Sequence, residues 1–279
     1  MKSNADRNNK SIIFSLILTI ISVITLIPFA FMISTSLKTY ESVYSFPPEL
    51  IPNPVQWSNY AEVFSRINFG LYYFNSTYIA VLVTIGTCFF SLLAGYSLAR
   101  LSYPFKNAIF LTLLSGMMIP REVTLIPLFV WMTKLGLVDT HFPLIVPHMI
   151  GLSAVFGVFL MRQFFLTIPN ELDDSAKIDG CTPWQTFYHI MAPMSTSTVS
   201  ALAILSFLGS WNEFTDALIF INNDNLLTLP ISLTKFTSQY TTEWHILMAA
   251  AVMATLPILI IFFIGQKRFV ESIALTGLK

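Results

Sequence analysis

Six long runs of apolar side chains, separated by shorter polar stretches, organise this 279-residue chain. They cover roughly residues 11–35, 73–99, 107–131, 142–163, 195–221 and 244–265. A helix needs about 20 apolar residues to cross a hydrocarbon layer of about 30 Å, and each run is long enough. The pattern predicts an all-α membrane protein of six spans, with polar tails at 1–10 and 266–279 and a long polar loop at 164–194. The first run, SIIFSLILTIISVITLIPFAFMI, carries no charge. Lys2, Arg7 and Lys10 before it imitate the basic end of a signal peptide. The run is nevertheless too long and lacks a small-x-small cleavage site, so it reads as an uncleaved first span.

Composition agrees with the pattern. The chain is 54% hydrophobic and 11% charged, with a mean hydropathy of +0.68. Soluble domains carry about 25% charged residues, so there is too little charge here to cover a water-facing surface. Formal net charge is +0, which gives no basic field for nucleic acid. Cys88 and Cys181 are too far apart in sequence and setting to suggest a disulfide framework or a metal site. No G-x-x-x-x-G-K-[ST], H-E-x-x-H or G-x-S-x-G motif occurs, so no catalytic residue and no bound cofactor is expected.

Charge also sets an orientation. With the N-terminus inside, the inner segments hold Lys2, Arg7, Lys10, Arg100, Lys106, Arg162, Lys177, Lys267, Arg268 and Lys279. The outer segments hold only Lys38, Arg66, Lys134 and Lys235. By the positive-inside rule both termini and the 164–194 loop are expected in the cytoplasm. The first outer segment, about 37–72, contains Pro47, Pro48, Pro52 and Pro54, which argue against regular helix. It reads either as an interfacial or partner-facing surface or as a plain connector.

Within the spans, three features carry chemistry or close packing. Ser91, Gly95 and Ala99 recur every four residues, giving one helix face that a neighbour can approach closely. In SGMMIPREVTLIPLFVW, Pro120 and Pro127 predict a bent helix, and Arg121–Glu122 place two ionisable groups at membrane depth. That pair either lines a water-filled path or makes a structural ion contact between helices. In FLGSWNEFTDALIFI, Asn212, Glu213 and Asp216 stand near Trp211 and Phe214. Acids and an amide beside rings suit a sugar, and the same set suits a polar seam between helices. The four histidines are scattered and read as helix-end or packing residues.

The polar loop holds PNELDDSAKIDGCTPWQ, with Glu171, Asp173, Asp174 and Asp179 close together. It is far longer than a hairpin connection requires, and its residues predict two short helices. Asn170 suits an N-cap, and Glu171 and Asp173 suit the positive end of the helix dipole. Gly180 stands where a left-handed C-terminal residue belongs. Thr182, Pro183 and Gln185 then spell a capping box with proline at the first helical position. The rings of Trp184, Phe187 and Tyr188, with small Ser175 and Ala176, offer a docking face to a soluble partner. A loop lying on the bilayer would bring four acids against an anionic leaflet.

This segment resembles the coupling loop of bacterial ABC importer permeases. Their pattern runs E-A-A, three residues, G, nine residues, I-x-L-P. Here Asp174-Ser175-Ala176, Gly180 and Ile190-Met191-Ala192-Pro193 occupy those places. RQFFLTIPNEL, PWQTFYHI, SWNEF, TLPISLTKF, MIPREVTLIPLF and QKRFVESIALTGLK extend the likeness along nearly the whole chain, to the maltose-type carbohydrate branch. The resemblance implies a type I importer permease fold and a core of two permease subunits, usually different chains. It further implies two ATPase subunits that use ATP and Mg, and an extracytoplasmic solute-binding protein. Glu171 to Gly180 and the rings after it would then transmit motion. The cargo would be a sugar or oligosaccharide, or another solute on the same machinery. An ion-coupled carrier would instead show paired halves with matching broken helices, and no such counterpart to the Pro120–Pro127 span is read in the other half. A membrane enzyme lacks a catalytic constellation.

Overall fold

Where apolar sequence runs on without a glycine or proline at a critical point, the chain forms single rods. Where backbone donors or side chains are missing, it bends. The structure is a computed structural model. It describes the backbone of residues 4–238 and 241–277 and the side chains of 12–238 and 241–266. The side chains of Lys2, Arg7, Lys10, Lys267, Arg268 and Lys279, which entered the charge count, are not among the described ones, and of the 266–279 tail the backbone to residue 277 is described.

Fifteen α-helical segments are described. The early ones are α1 (Asn4–Ser36), α2 (Tyr40–Val43), α3 (Ser58–Arg66), α4 (Phe69–Arg100), α5 (Lys106–Gly116), α6 (Arg121–Lys134), α7 (Phe142–Ile150) and α8 (Val155–Thr167). The later ones are α9 (Glu171–Ile178), α10 (Pro183–Thr186), α11 (Ala192–Met194), α12 (Thr196–Trp211), α13 (Thr215–Phe220), α14 (Leu229–Ser232) and α15 (Trp244–Gly277). Three stretches, Ile12–Ser36, Phe69–Arg100 and Trp244–Gln266, are each long and apolar enough to cross a membrane. Three bent helix pairs bring the candidate spans to six.

The bends correct the expected boundaries. The third run breaks between α5 and α6, which meet at 96°, and Pro120 stands at the break in extended conformation. Pro127 sits inside α6 without interrupting it. The fourth run, expected as one helix, bends by 45° at Gly151. A Cβ there would lie 2.3 Å from the Pro147 carbonyl oxygen, so a glycine is needed. The fifth run, expected over 195–221, ends as a helix at Trp211, and Asn212–Phe214 separate it from the short α13. The polar pair Asn212 and Glu213 carries that interruption.

The chain divides into two compact units. One contains Met1–Ile67 and Leu233–Thr255. The most apolar stretch of α1 is left uncovered by the rest of the chain, with 0% of it buried. Below it the first outer segment is more ordered than its prolines suggest, because α3 forms once they are passed. Asn59, on α3, is buried and donates to the carbonyl oxygens of Ser36 and Lys38 at 2.9 and 2.8 Å. Tyr44 donates to the Thr242 carbonyl at 2.8 Å. Arg66 pairs with Glu243 and Glu62, and the Glu243 bond leads in pushing its pKa up.

The other unit contains Asn68–Ser232 and Leu256–Lys279. Its axis is α4, which packs along α8, α12 and α7. The small face of α4 is used as expected. A Cβ on Gly95 would stand 2.5 Å from the Met161 Cβ, and one on Gly157 would stand 2.3 Å from the Ser91 Oγ. The two backbones therefore touch nearly directly. Tyr96, Met161, Phe165, Phe187, Met191 and Leu202 form one core cluster at the α4 C-terminal end, and Ile79, Val83, Leu144, Ala217 and Phe220 belong to a second cluster.

Candidate functional site

The 164–194 loop folds largely as its local signals require. α8 ends at Thr167, and α9 carries Glu171, Asp173 and Asp174 in its first turn. Gly180 follows with φ +78°, in the left-handed region, and nothing lies within 4 Å of the place its Cβ would take. Thr182 caps α10 through a reciprocal box. Its Oγ1 accepts from the Gln185 N–H at 3.3 Å, and the Gln185 Oε1 accepts from the Thr182 N–H at 2.8 Å. A π turn over Phe187–Met191 and the short α11 lead to a 73° bend at Ser195. Pro193 lies inside α11, which ends at Met194.

Three expectations about this loop change. Asn170 does not cap α9 with its side chain. Its Oδ1 instead accepts from Arg100 Nη1 at 2.5 Å, and a charge-assisted bond outcompetes a neutral cap. Ala176 and Phe187, expected on a docking face, are 3% and 5% exposed. They face inward because the loop borrows a core from α4 and α8, with Phe187 against Tyr96. Asp173 is also drawn in, 3.1 Å from Arg100. Outward are Glu171, Asp174, Ser175, Asp179 and Gly180, together with Lys177 (paired with Asp174), Ile178, Trp184 and Tyr188. Ile178 is 86% exposed, so an apolar tip stands within an acidic rim.

A second site lies where the broken third and fifth runs meet. Arg121, the first residue of α6, donates through Nη1 to Glu213 Oε2 at 2.6 Å and through Nη2 to Asp216 Oδ2. Glu213 Oε1 in turn accepts from the Asp216 backbone N–H at 3.0 Å. His148 Nε2 is 2.9 Å from Asp216 Oδ2 and 3.2 Å from Arg121 Nη2. One ring nitrogen cannot donate to the acid and accept from the arginine together, and the nearer approach favours Nε2–H donating to Asp216. The ligand atoms of His148, Glu213 and Asp216 all lie within 4.8 Å of one another, and the guanidinium supplies positive charge there. This cluster borders a cavity of about 690 Å³ whose wall includes Pro120, Arg121, Trp131, His148, Phe156 and Asp216.

The other path candidates stay out of the cluster. Glu122 is exposed and forms no ion pair among the described residues. Trp211 is 2% exposed and stacks on Phe207 at 5.6 Å with Tyr73 at its edge. Its ring is consumed by packing and offers no free face for a sugar. Asn212 turns back to the Leu208 carbonyl at 2.9 Å. His148 was read as packing, and no spacing in the sequence ties it to residues 213 and 216. Arg121, Glu213 and Asp216 thus join the start of α6 to the start of α13 beside the cavity.

Residues 89–274 match the family of binding-protein-dependent transport system inner membrane components. The chain is 36% identical over 231 residues to the arabinooligosaccharides transport system permease protein AraQ of Halalkalibacterium halodurans, covering 82% of this chain and 81% of AraQ. It is 28% identical over 256 residues to the lactose transport system permease protein LacG of Rhizobium radiobacter, covering 92% of each. The fold is similar, with a TM-score of 0.80 and 21% identity, to a chain in the crystal structure of a bacterial ABC transporter involved in import of the acidic polysaccharide alginate, covering 96% of this chain and 99% of that one. Six candidate spans, a capped and glycine-bent loop and this match agree: the chain belongs to the inner membrane permease components of binding-protein-dependent transport systems.

Proposed function

We propose that this chain is one of two permease subunits in an ATP-driven importer for a sugar or oligosaccharide, and that the 164–194 loop is its contact with the ATPase subunits. The observation that carries the reading is the loop itself. A reciprocal capping box and a left-handed glycine present Ile178, Trp184 and Tyr188 outward among Glu171, Asp174 and Asp179. An apolar tip with an acidic rim suits a groove on a soluble partner. Relatives named for arabinooligosaccharide and lactose transport support a carbohydrate as cargo.

In this reading two separate ATPase subunits bind ATP and Mg, and this chain binds neither. Their closure pulls on α9 and α10 and turns the cavity beside Arg121 toward the other face. The second permease subunit is a different chain, and an extracytoplasmic binding protein delivers the solute. Both termini lie on the ATPase side, as the excess of inner Lys and Arg suggests.

The test is purification of the whole complex with Gly180→Val and Asp174→Lys introduced together. The ATPase subunits are expected to be lost, and their full retention would remove the basis of the reading. Uptake that survives ATP depletion and collapses with the ion gradient would identify an ion-coupled carrier instead. Competition for uptake by oligosaccharides, against polyols and peptides, tests the cargo.

A further inference from the structure

We propose that Arg100 is a positioning residue that locks the 164–194 loop to the end of the α4 rod, so that loop and helix move as one body. The inference rests on the reading of that loop as the ATPase contact.

Arg100 is the last residue of α4, and its side chain is only 5% exposed. Nη1 donates to Asn170 Oδ1 at 2.5 Å and stands 3.1 Å from Asp173 Oδ2. Nη2 donates to the Phe165 carbonyl oxygen at 2.7 Å and also to that of Ile168. Those two carbonyls lie at the C-terminal end of α8, where the dipole is negative, and that of Phe165 also accepts from the Ile168 N–H at 3.2 Å. Asn170 and Asp173 belong to the start of α9. A single guanidinium therefore closes one helix and holds the start of the next, at the corner where the chain leaves the bundle.

The geometry asks for arginine. A planar fork carries five donors in fixed directions, whereas a lysine ammonium is a compact point charge. One turn earlier on the same face of α4, Tyr96 donates to the Pro183 carbonyl at 3.2 Å and packs against Phe165 and Phe187. Residues 96 and 100 thus hold the short helices on both sides of Gly180. Among the described residues, no other ion pair joins the loop to the bundle. A pull on α9 or α10 is thus passed to α4 through these side chains as well as along the chain to α8 and α12, and α4 is the helix on which α7, α8 and α12 pack.

The experiment uses the full complex with its ATPase subunits, with Cys88 and Cys181 replaced by alanine and serine. Nitroxide labels at Ser102→Cys and Lys177→Cys report the distance from the end of α4 to α9, by pulsed electron resonance, without nucleotide and with ATP plus vanadate. With Arg100 present, one narrow distance is expected in both states. With Arg100→Gln, or with Arg100→Lys, which keeps the charge and loses the fork, that single distance should be lost and a second should grow in with nucleotide. A narrow distance retained in Arg100→Gln would overturn the proposal. Should Arg100→Gln not assemble, Asn170→Ala with Asp173→Asn carries the test, because it leaves the α8 carbonyl bonds in place. The same loss is expected there, and retention again overturns the proposal. Absence of the ATPase subunits while Arg100 is intact would strike the reading of the loop instead.

Discussion

Arg121 and Asp216, 95 positions apart, form an ion pair whose aspartate side chain is 2% exposed. The pair ties the start of α6 to α13, two short helices that exist because longer apolar runs are broken. A carboxylate so deep needs a cation and hydrogen bonds to remain charged. The same guanidinium also holds Glu213, so two acids share one arginine, with His148 as a further partner of Asp216.

Replacing Arg121 by leucine should therefore leave two acids without their cation. Removing one partner of a buried pair costs about 3–5 kcal/mol, and the lower end applies because Arg121 is itself 43% exposed. The thermal midpoint of the purified complex is expected to fall clearly, with Arg121→Lys intermediate. An unchanged midpoint for the leucine variant would mean that the pair does not hold these helices.

Close approach of α4 and α8 gives a second expectation, with an internal contrast. A side chain at Gly95 meets the Met161 Cβ at 2.5 Å and the Arg162 backbone nitrogen at 2.9 Å. Gly95→Leu should destabilise by about 1–3 kcal/mol through overpacking. Gly209, in α12, has nothing within 4 Å of its missing Cβ. Gly209→Ala should stabilise by about 0.5–1 kcal/mol, by restricting the unfolded chain. Denaturation midpoints read both, and equal shifts of one sign would contradict the packing described.

Asn59 should matter to the outer segment alone. Its amide satisfies two carbonyls, those of Ser36 and Lys38, and a leucine of similar size would leave both without that donor. A loss of roughly 1–3 kcal/mol is expected for such a buried site. Protease cleavage within 37–57 should accelerate in Asn59→Leu, while cleavage of the 164–194 loop stays at its original rate.

Local signals were legible in the sequence, and tertiary ones were not. Thr182 with Gln185, and Gly180 before them, act through bonds and dihedrals within a few residues, so the residues alone specify them. Asn170 has the same local chemistry as any N-cap, yet a guanidinium from residue 100 takes its oxygen. The inward turn of Ala176 had a faint trace, because Leu172 and Ala176 stand four residues apart on α9 and mark one apolar face. Glu213 and Asp216 were identifiable as acids out of place in lipid. Their partner His148 was not, since it arrives from a different run through a bend at Gly151. The end of the fifth helix at Trp211 was marked by Asn212 and Glu213, two polar residues inside an apolar run.

Gly180 turns the loop in open space, with φ +78° and no neighbour within 4 Å of where a side chain would begin. What the position selects is consequently handedness and not size. An L-residue must twist its own backbone to sit there, at about 1–2 kcal/mol, however small it is. A mirror-image alanine introduced by chemical ligation would keep the bend unstrained and leave the corner stiffer than glycine does.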